Sequence, residues 1–444
     1  MNPGLPFQRY PPLLEYLRAI RNVVFSPITP ETARIVLVLG NPSADLDSFI
    51  SAITYSYFQN HVNNQRARGA IFVPLLNMPK TRKANQDDDK ACLKEVITIR
   101  DVLDSDDTRS DLRHVFRPDL SESSLGPKIP LVLVDHNAPA ISIPKIPSSS
   151  ILANLDLIGC IDHHVDEHVI PEGSSPRIVT TGIGSCTTLV VSHLRQSGTW
   201  PKVLDSPQSA AVAEVCHLAL APILVDTKNL KAGGEKCSDL DRAIVAVLQN
   251  EMSGTAMMGI KSSWNRDDFY EPVFAAKAAS LDLLTAQEMF ERDYKSWTEG
   301  AIEIGISSLV RPVSWLVEHF KGGAAELAGE IQRFAKQMQD EQTSDGVGFE
   351  VFVMLTPGPK GGKGKEVVMV TFSDRAAKVI EVFEEKAGEL KLEDWDDRCR
   401  EDFKAAFDKQ CGQMRYKVWW MTNREKTRKQ GAPLVREAVS AVQQ

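Results

Sequence analysis

A chain of 444 residues has room for two or three domains with real cores, and its ordinary balance of residue types excludes a fibrous, collagen-like or disordered polymer. Its net charge of −8 gives no long-range pull on polyanions, so nucleic acid is not expected as a partner and an anionic substrate needs locally concentrated positive charge. No apolar run reaches the ~20 residues of a bilayer span, and seven cysteines without a C-x-x-C pair exclude a zinc ribbon or disulfide framework, pointing to a reducing, cytoplasmic compartment away from membranes.

The start, Met1 to Tyr16, is proline-rich and lacks a signal-peptide pattern, while Arg9, Arg18 and Arg21 leave a mitochondrial address open. Leu13, Leu14, Leu17 and Ile20 predict an amphipathic helix. Strands are predicted over Arg34 to Gly40, Ala70 to Leu76, Ile129 to Val134, Leu155 to Ile161 and Arg177 to Thr181. Helices are predicted over Ser48 to Phe58, Asp87 to Asp104 with an acidic cap at Asp87-Asp88-Asp89, and from Gly184 to about Arg195. Asp104 to Leu125 is polar, and Ala138 to Ser150 is a Pro/Ser-rich connection. Ser206 to Leu220 reads as a helix that delivers a final apolar run, Ala221 to Asp226. Strands alternating with helices define an α/β fold with a doubly wound, mainly parallel sheet, in which ligands gather at the carboxyl ends of the strands.

The chain from Gly233 to Ala279 is mostly helical, and a second, smaller α/β unit is expected from Thr285, with a helix Thr285 to Trp297. Strands are predicted over Gly300 to Val310, Phe349 to Leu355 and Glu366 to Phe372, with a hairpin tip at Pro357 to Lys365. The expected domains are 1–278 and 285–444, with a linker near Ala279 to Leu284 and the active site in the cleft between them.

Four polar clusters close apolar runs: Asn41-x-x-x-Asp45-x-Asp47, Asp135-His136-Asn137, Asp162-His163-His164 and Asp226-Thr227. Each has an ordinary explanation, as helix caps, strand-end turns or a hydrogen-bonded core histidine. Their repetition at the same place in successive units argues for convergence. Asp45, Asp47, Asp135 and Asp226 together would repel one another unless cations offset them. With Asn41 and His163 they form an oxygen-rich set suited to two divalent ions, Mg²⁺ or Mn²⁺, the arrangement that hydrolyses phosphate esters and anhydrides in line. Positive charge concentrates near the C-terminus, where Arg415, Lys417, Arg424, Lys426, Arg428, Lys429 and Arg436 face only Glu425. That stretch is either a solvated basic helix or a grip on phosphate.

These four clusters, in this order and spacing, resemble the signature motifs of the DHH phosphoesterase superfamily. Gly184-Ser185-Cys186-Thr187-Thr188 resembles the glycine-serine turn between its third and fourth motifs. Asp293-Tyr294-Lys295 and Thr427-Arg428-Lys429-Gln430 resemble the substrate-gripping groups of the C-terminal domain in the pyrophosphatase and exopolyphosphatase branch. Asn41 stands where bacterial-type family II pyrophosphatases carry histidine, and His164 stands where Prune proteins usually carry arginine, so the pattern is most similar to fungal cytosolic exopolyphosphatases.

The resemblance implies hydrolysis of the terminal anhydride of linear inorganic polyphosphate by a monomer. Asn41, Asp45, Asp47, Asp135, His163 and Asp226 would bind the metals. His164, Lys295, Arg428 and Lys429 would bind substrate, His164 also acting in catalysis with Asp135, and His136 would support the site. The alternatives are a pyrophosphatase, a Prune-like enzyme acting on short polyphosphates or cyclic nucleotides, or a catalytically weak scaffold.

Overall fold

The computed structural model describes residues 10–25, 34–66, 70–78, 95–116, 128–141, 148–201, 206–254, 264–280, 284–340, 346–410 and 414–443. The acidic run 87–89, residues 281–283 of the expected linker and the end of the polar segment, 117–125, lie outside these residues. The chain divides into two compact units, Met1–Ala276 and Lys277–Gln444.

The first unit is built on a six-stranded, wholly parallel sheet: β1 (Arg34–Leu39), β2 (Ala70–Leu76), β3 (Ile97–Thr98), β4 (Ile129–Val134), β5 (Leu155–Asp162) and β6 (Arg177–Val179). Their order across the sheet is β3-β2-β1-β4-β5-β6. All six residues of β4 are buried, as a strand covered on both faces must be. The chain winds outward in opposite directions from β1 and β4, so a crevice opens at their carboxyl ends. The helices Leu46–Arg66, Cys186–Gln196 and Ser206–Asp226 pack together and against the strands.

Two expectations fail in this unit. The expected helix Asp87 to Asp104 contains strand β3 at Ile97–Thr98, and Thr98 caps a shorter helix, Ile99–Asp104. Ala221 to Asp226 is not a separate run closing at a strand end; it is the last part of one helix, Ser206–Asp226, continuous through Pro222. A helix buried on all sides carries no amphipathic period, so a short apolar stretch within it reads like a buried strand.

The second unit has a mixed sheet: β7 (Tyr294–Glu299), β8 (Ile302–Ser308), β9 (Gly348–Thr356), β10 (Lys365–Thr371), β11 (Leu392–Asp394) and β12 (Arg415–Met421), in the order β11-β12-β10-β9-β8-β7. Only β8 and β9 run parallel. The two-residue alternation of strands builds a core on each face. Phe352, Met354, Val368 and Val370 join the helices Gly323–Asp340 and Arg400–Gln410, while Val351, Val353, Val367 and Met369 join Val379–Lys386 and Arg428–Val442.

The expected helix Thr285 to Trp297 is shorter: Thr285 caps Ala286–Glu291, and Tyr294 begins a strand. Tyr294, Trp297 and Thr298 favour a pleated edge over a helix. The basic C-terminal stretch is likewise not one helix, because Arg415 and Lys417 lie on β12 and only Arg428 onward is helical. Its charge is largely offset: Lys417 pairs with Glu384, Lys426 with Glu389, Arg428 with Asp293 and Arg436 with Glu299.

Candidate metal centre

The loop after β1 folds as a helix cap. Asp45 accepts from the Ser48 amide at 3.0 Å and starts the helix Leu46–Arg66. Asn41 Oδ1 accepts from Ser43 Oγ and the Ala44 amide, while its Nδ2 donates to Asp135 Oδ2 at 2.8 Å. Asn41 is therefore arranged to orient Asp135 with its amide hydrogens. Ser48 Oγ donates to the same Asp135 oxygen at 2.7 Å.

Asp135 follows β4 and adopts a left-handed backbone, φ 63°, uncommon for a residue with a side chain and characteristic of functional turns. It is buried, and its Oδ1 accepts no aligned hydrogen bond from the described residues. Burial, followed by the neighbouring charge of Asp47, raises its pKa to about 7.

His163 and His164 follow the end of β5. His163 Nδ1 lies 2.9 Å from the Ile183 carbonyl. A carbonyl only accepts, so Nδ1 carries the proton and Nε2 faces the carboxylates, 3.1 Å from Asp135 Oδ1 and 3.9 Å from Asp47 Oδ2. Burial opposes a charge on this ring, but the contacts with Asp135 and Asp47 prevail and raise its pKa to about 10. His164 Nδ1 donates to buried Asp162 at 2.8 Å, and much of its ring remains exposed. That bond to Asp162 raises the pKa of His164.

Asp47 is seated by the turn before the helix Cys186–Gln196. Its Oδ1 accepts from Ser185 Oγ, Thr187 Oγ1 and the Thr187 amide, and its Oδ2 from the Cys186 amide at 2.6 Å. Gly184 permits this closeness, since a Cβ there would stand 2.5 Å from Thr227 Cγ2 and 2.6 Å from the Lys236 carbonyl. The residue after Asp226 thus packs against the turn that holds Asp47. Asp226 itself is half-buried at the end of its helix. Three residues after it, Lys228, Asn229 and Leu230, are left-handed.

Asp135, His163 and His164 offer ligand atoms within 4.8 Å of one another, the one such group among the described residues. The donor set fits a divalent cation. A bare imidazole nitrogen faces a buried, unsatisfied carboxylate oxygen beside a second carboxylate, and a positive charge is required there. The anchoring of His163 Nδ1 on a carbonyl is the support typical of metal-bound imidazole. His136 is half-buried, with Nδ1 on the Val134 carbonyl at 3.0 Å, and burial lowers its pKa.

In the second unit, Arg428 begins the helix Arg428–Val442, and Lys295 is exposed on β7. The side chain of Lys429 lies outside the description. The sequence assigned no role to Ser48, nor to Asp162, Ser185 and Thr187, which lie within the motifs it displays. Asn137 also serves the site, donating to Asp162 and accepting from the Glu167 amide at 2.7 Å.

Residues 35–220 match the DHH family, N-terminal domain, and residues 272–438 match the DHHA2 domain. The chain thus carries a DHH-family domain followed by a DHHA2 domain. It is 27% identical over 433 residues to an inferred exopolyphosphatase of Schizosaccharomyces pombe, covering 95% of this chain and 96% of that one. It is 25% identical over 283 residues to Exopolyphosphatase PRUNE1 of Bos taurus, covering 63% of this chain and 53% of that protein. Among solved structures, an inferred family II inorganic pyrophosphatase of Methanococcus jannaschii is similar at 17% identity and TM-score 0.43, covering 91% of this chain and 99% of that one.

Proposed function

We propose that the protein is a metal-dependent hydrolase that removes the terminal orthophosphate from linear inorganic polyphosphate. The observation that carries this reading is the approach of His163 Nε2 to Asp135 Oδ1 at 3.1 Å, with His164 near by, a set of donor atoms close enough to share one cation. Resemblance over nearly the whole chain to an inferred exopolyphosphatase supports the substrate class. Asp45, Asp47, Asp135, His163 and Asp226 hold two divalent ions, Mg²⁺ or Mn²⁺, with Asn41 at the same centre. Such ions, when bound, polarise phosphoryl oxygens and make water nucleophilic near neutral pH.

The chain's own groups do the rest. Asp162 fixes His164 with Nδ1 protonated, so that Nε2 turns to the substrate and carries a proton toward the departing phosphate. Lys295, Arg428 and Lys429 grip the remaining phosphates. Arg428 stands in the first turn of the helix Arg428–Val442 and is held by Asp293. His136, neutral and half-buried, supports the strand end that carries Asp135. The chain acts as a monomer in the cytoplasm, and no helix among the described residues is long and apolar enough to cross a membrane.

The test is orthophosphate release by purified protein with Mg²⁺ or Mn²⁺ from long polyphosphate, tripolyphosphate and diphosphate, with a cyclic nucleotide in parallel and chelator as control. Polyphosphate should be the preferred substrate. Release from diphosphate alone would make the protein a pyrophosphatase, preference for the cyclic nucleotide a Prune-like diesterase, and no turnover a scaffold.

A further inference from the structure

We propose that Asp293 is a positioning residue that holds the Arg428 guanidinium ready at the start of the strand that carries Lys295 before substrate arrives; this rests on reading Arg428 as a phosphate-binding group. Arg428 Nη1 donates to the Asp293 carbonyl and Nη2 to Asp293 Oδ1, each at 2.6 Å. One residue thus holds the guanidinium at two points across 135 positions of sequence, which fixes its plane and not merely its charge.

Asp293 is itself held. Its carbonyl also accepts from the Ser308 amide at 3.0 Å, continuing the ladder in which Tyr294 faces Ser307 and Lys295 faces Ile306. Asp293 lies in the turn directly before β7, so it brings Arg428 to the start of the strand that carries Lys295. The Arg428 side chain is only 17% exposed, whereas that of Asp293 is 48% exposed. The arginine is ordered against the sheet edge while its anchor stays in water.

An ion pair whose carboxylate stands half in water contributes little to stability, so this arrangement needs another reason. A long arginine that is free in solution must be immobilised when it grips a phosphate, and that loss of freedom weakens binding. Asp293 removes the loss in advance. A guanidinium has five N–H donors, more than the two bonds to Asp293 use, so the anchor and a phosphate do not exclude each other.

The test is steady-state hydrolysis of sodium tripolyphosphate with saturating Mg²⁺ by the full chain and by Asp293→Ala, Asp293→Asn, Arg428→Ala and the double variant Asp293→Ala/Arg428→Ala. Asp293→Ala should raise KM about two- to tenfold with kcat little changed. Asp293→Asn keeps an acceptor at Oδ1 and should return KM toward wild type. Asp293→Ala should add nothing in the Arg428→Ala background. A KM that is unchanged or lower in Asp293→Ala, or an equal effect with and without Arg428, overturns the proposal; a lower KM would make Asp293 a competitor of the substrate. A wild-type KM in Arg428→Ala instead overturns the reading of Arg428 itself, so the two failures are distinct.

Discussion

His163 Nε2 and Asp135 Oδ1 lie 3.1 Å apart inside a carboxylate cluster, with the histidine proton committed to the Ile183 carbonyl on the far side of the ring. Without metal, burial opposes the charge on His163 but the contacts with Asp135 and Asp47 raise it to about 10, while burial and the charge of Asp47 raise Asp135 to about 7. Both shifts favour the protonated forms in the folded state. The Asp135 contribution is present below its ordinary carboxylate range and lost as pH rises to about 7. The His163 contribution is present below its ordinary value of 6.5 and lost as pH rises through about 10. The chelated protein should therefore lose stability from about pH 6 to about pH 9, while the gain in Tm on adding Mn²⁺ should grow, because metal displaces those protons. Thermal unfolding with and without chelator checks this; a gain that shrinks with pH would contradict it.

Asp226→Ala should abolish turnover while leaving the fold intact, because Asp226 ends its helix and is only half-buried. Orthophosphate release together with circular dichroism checks it. Near-normal activity would remove Asp226 from the metal site.

Arg428→Ala should raise KM and lower kcat, reducing kcat/KM by about 1.5–3 kcal/mol, the range for a hydrogen bond to a charged group, or roughly ten- to hundredfold. Steady-state kinetics on tripolyphosphate read this directly. Unchanged constants would mean that the arginine serves only the second unit's own packing.

Glu366 is fully buried in the second unit, and its carboxylate receives the Val313 amide at 2.7 Å, Trp395 Nε1 at 3.0 Å and Thr356 Oγ1. Glu366→Ala leaves three buried donors without an acceptor and should destabilise that unit by roughly 3 kcal/mol or more. Chemical denaturation followed by tryptophan fluorescence measures it, and a loss below about 1 kcal/mol would show that the pocket refills or rearranges.

Five of the six strands of the first unit were legible because a sheet covered on both faces demands β-branched apolar runs, and the polar residues after Val134 and Ile161 break those runs abruptly, whereas two-residue β3 fell inside a predicted helix. The helix ending at Asp226 was not legible as such, since an all-round buried helix lacks the period that separates it from a strand. Nor was the seat of Asp47, whose partners Ser185 and Thr187 lie 138 and 140 residues away. The apparent basic surplus near the C-terminus dissolved for the same reason. Lys417 and Arg436 meet Glu384 and Glu299 only through the sheet that brings them together. Local pattern carries periodicity and caps; contacts closed by the fold leave no local trace.

Equilibrium dialysis of Mn²⁺ against the wild-type chain and Asp135→Asn asks whether the carboxylate cluster holds metal. Two bound ions per chain are expected in the wild type and loss of binding in Asp135→Asn, with the variant still folded. Equal binding by the two proteins would contradict this expectation.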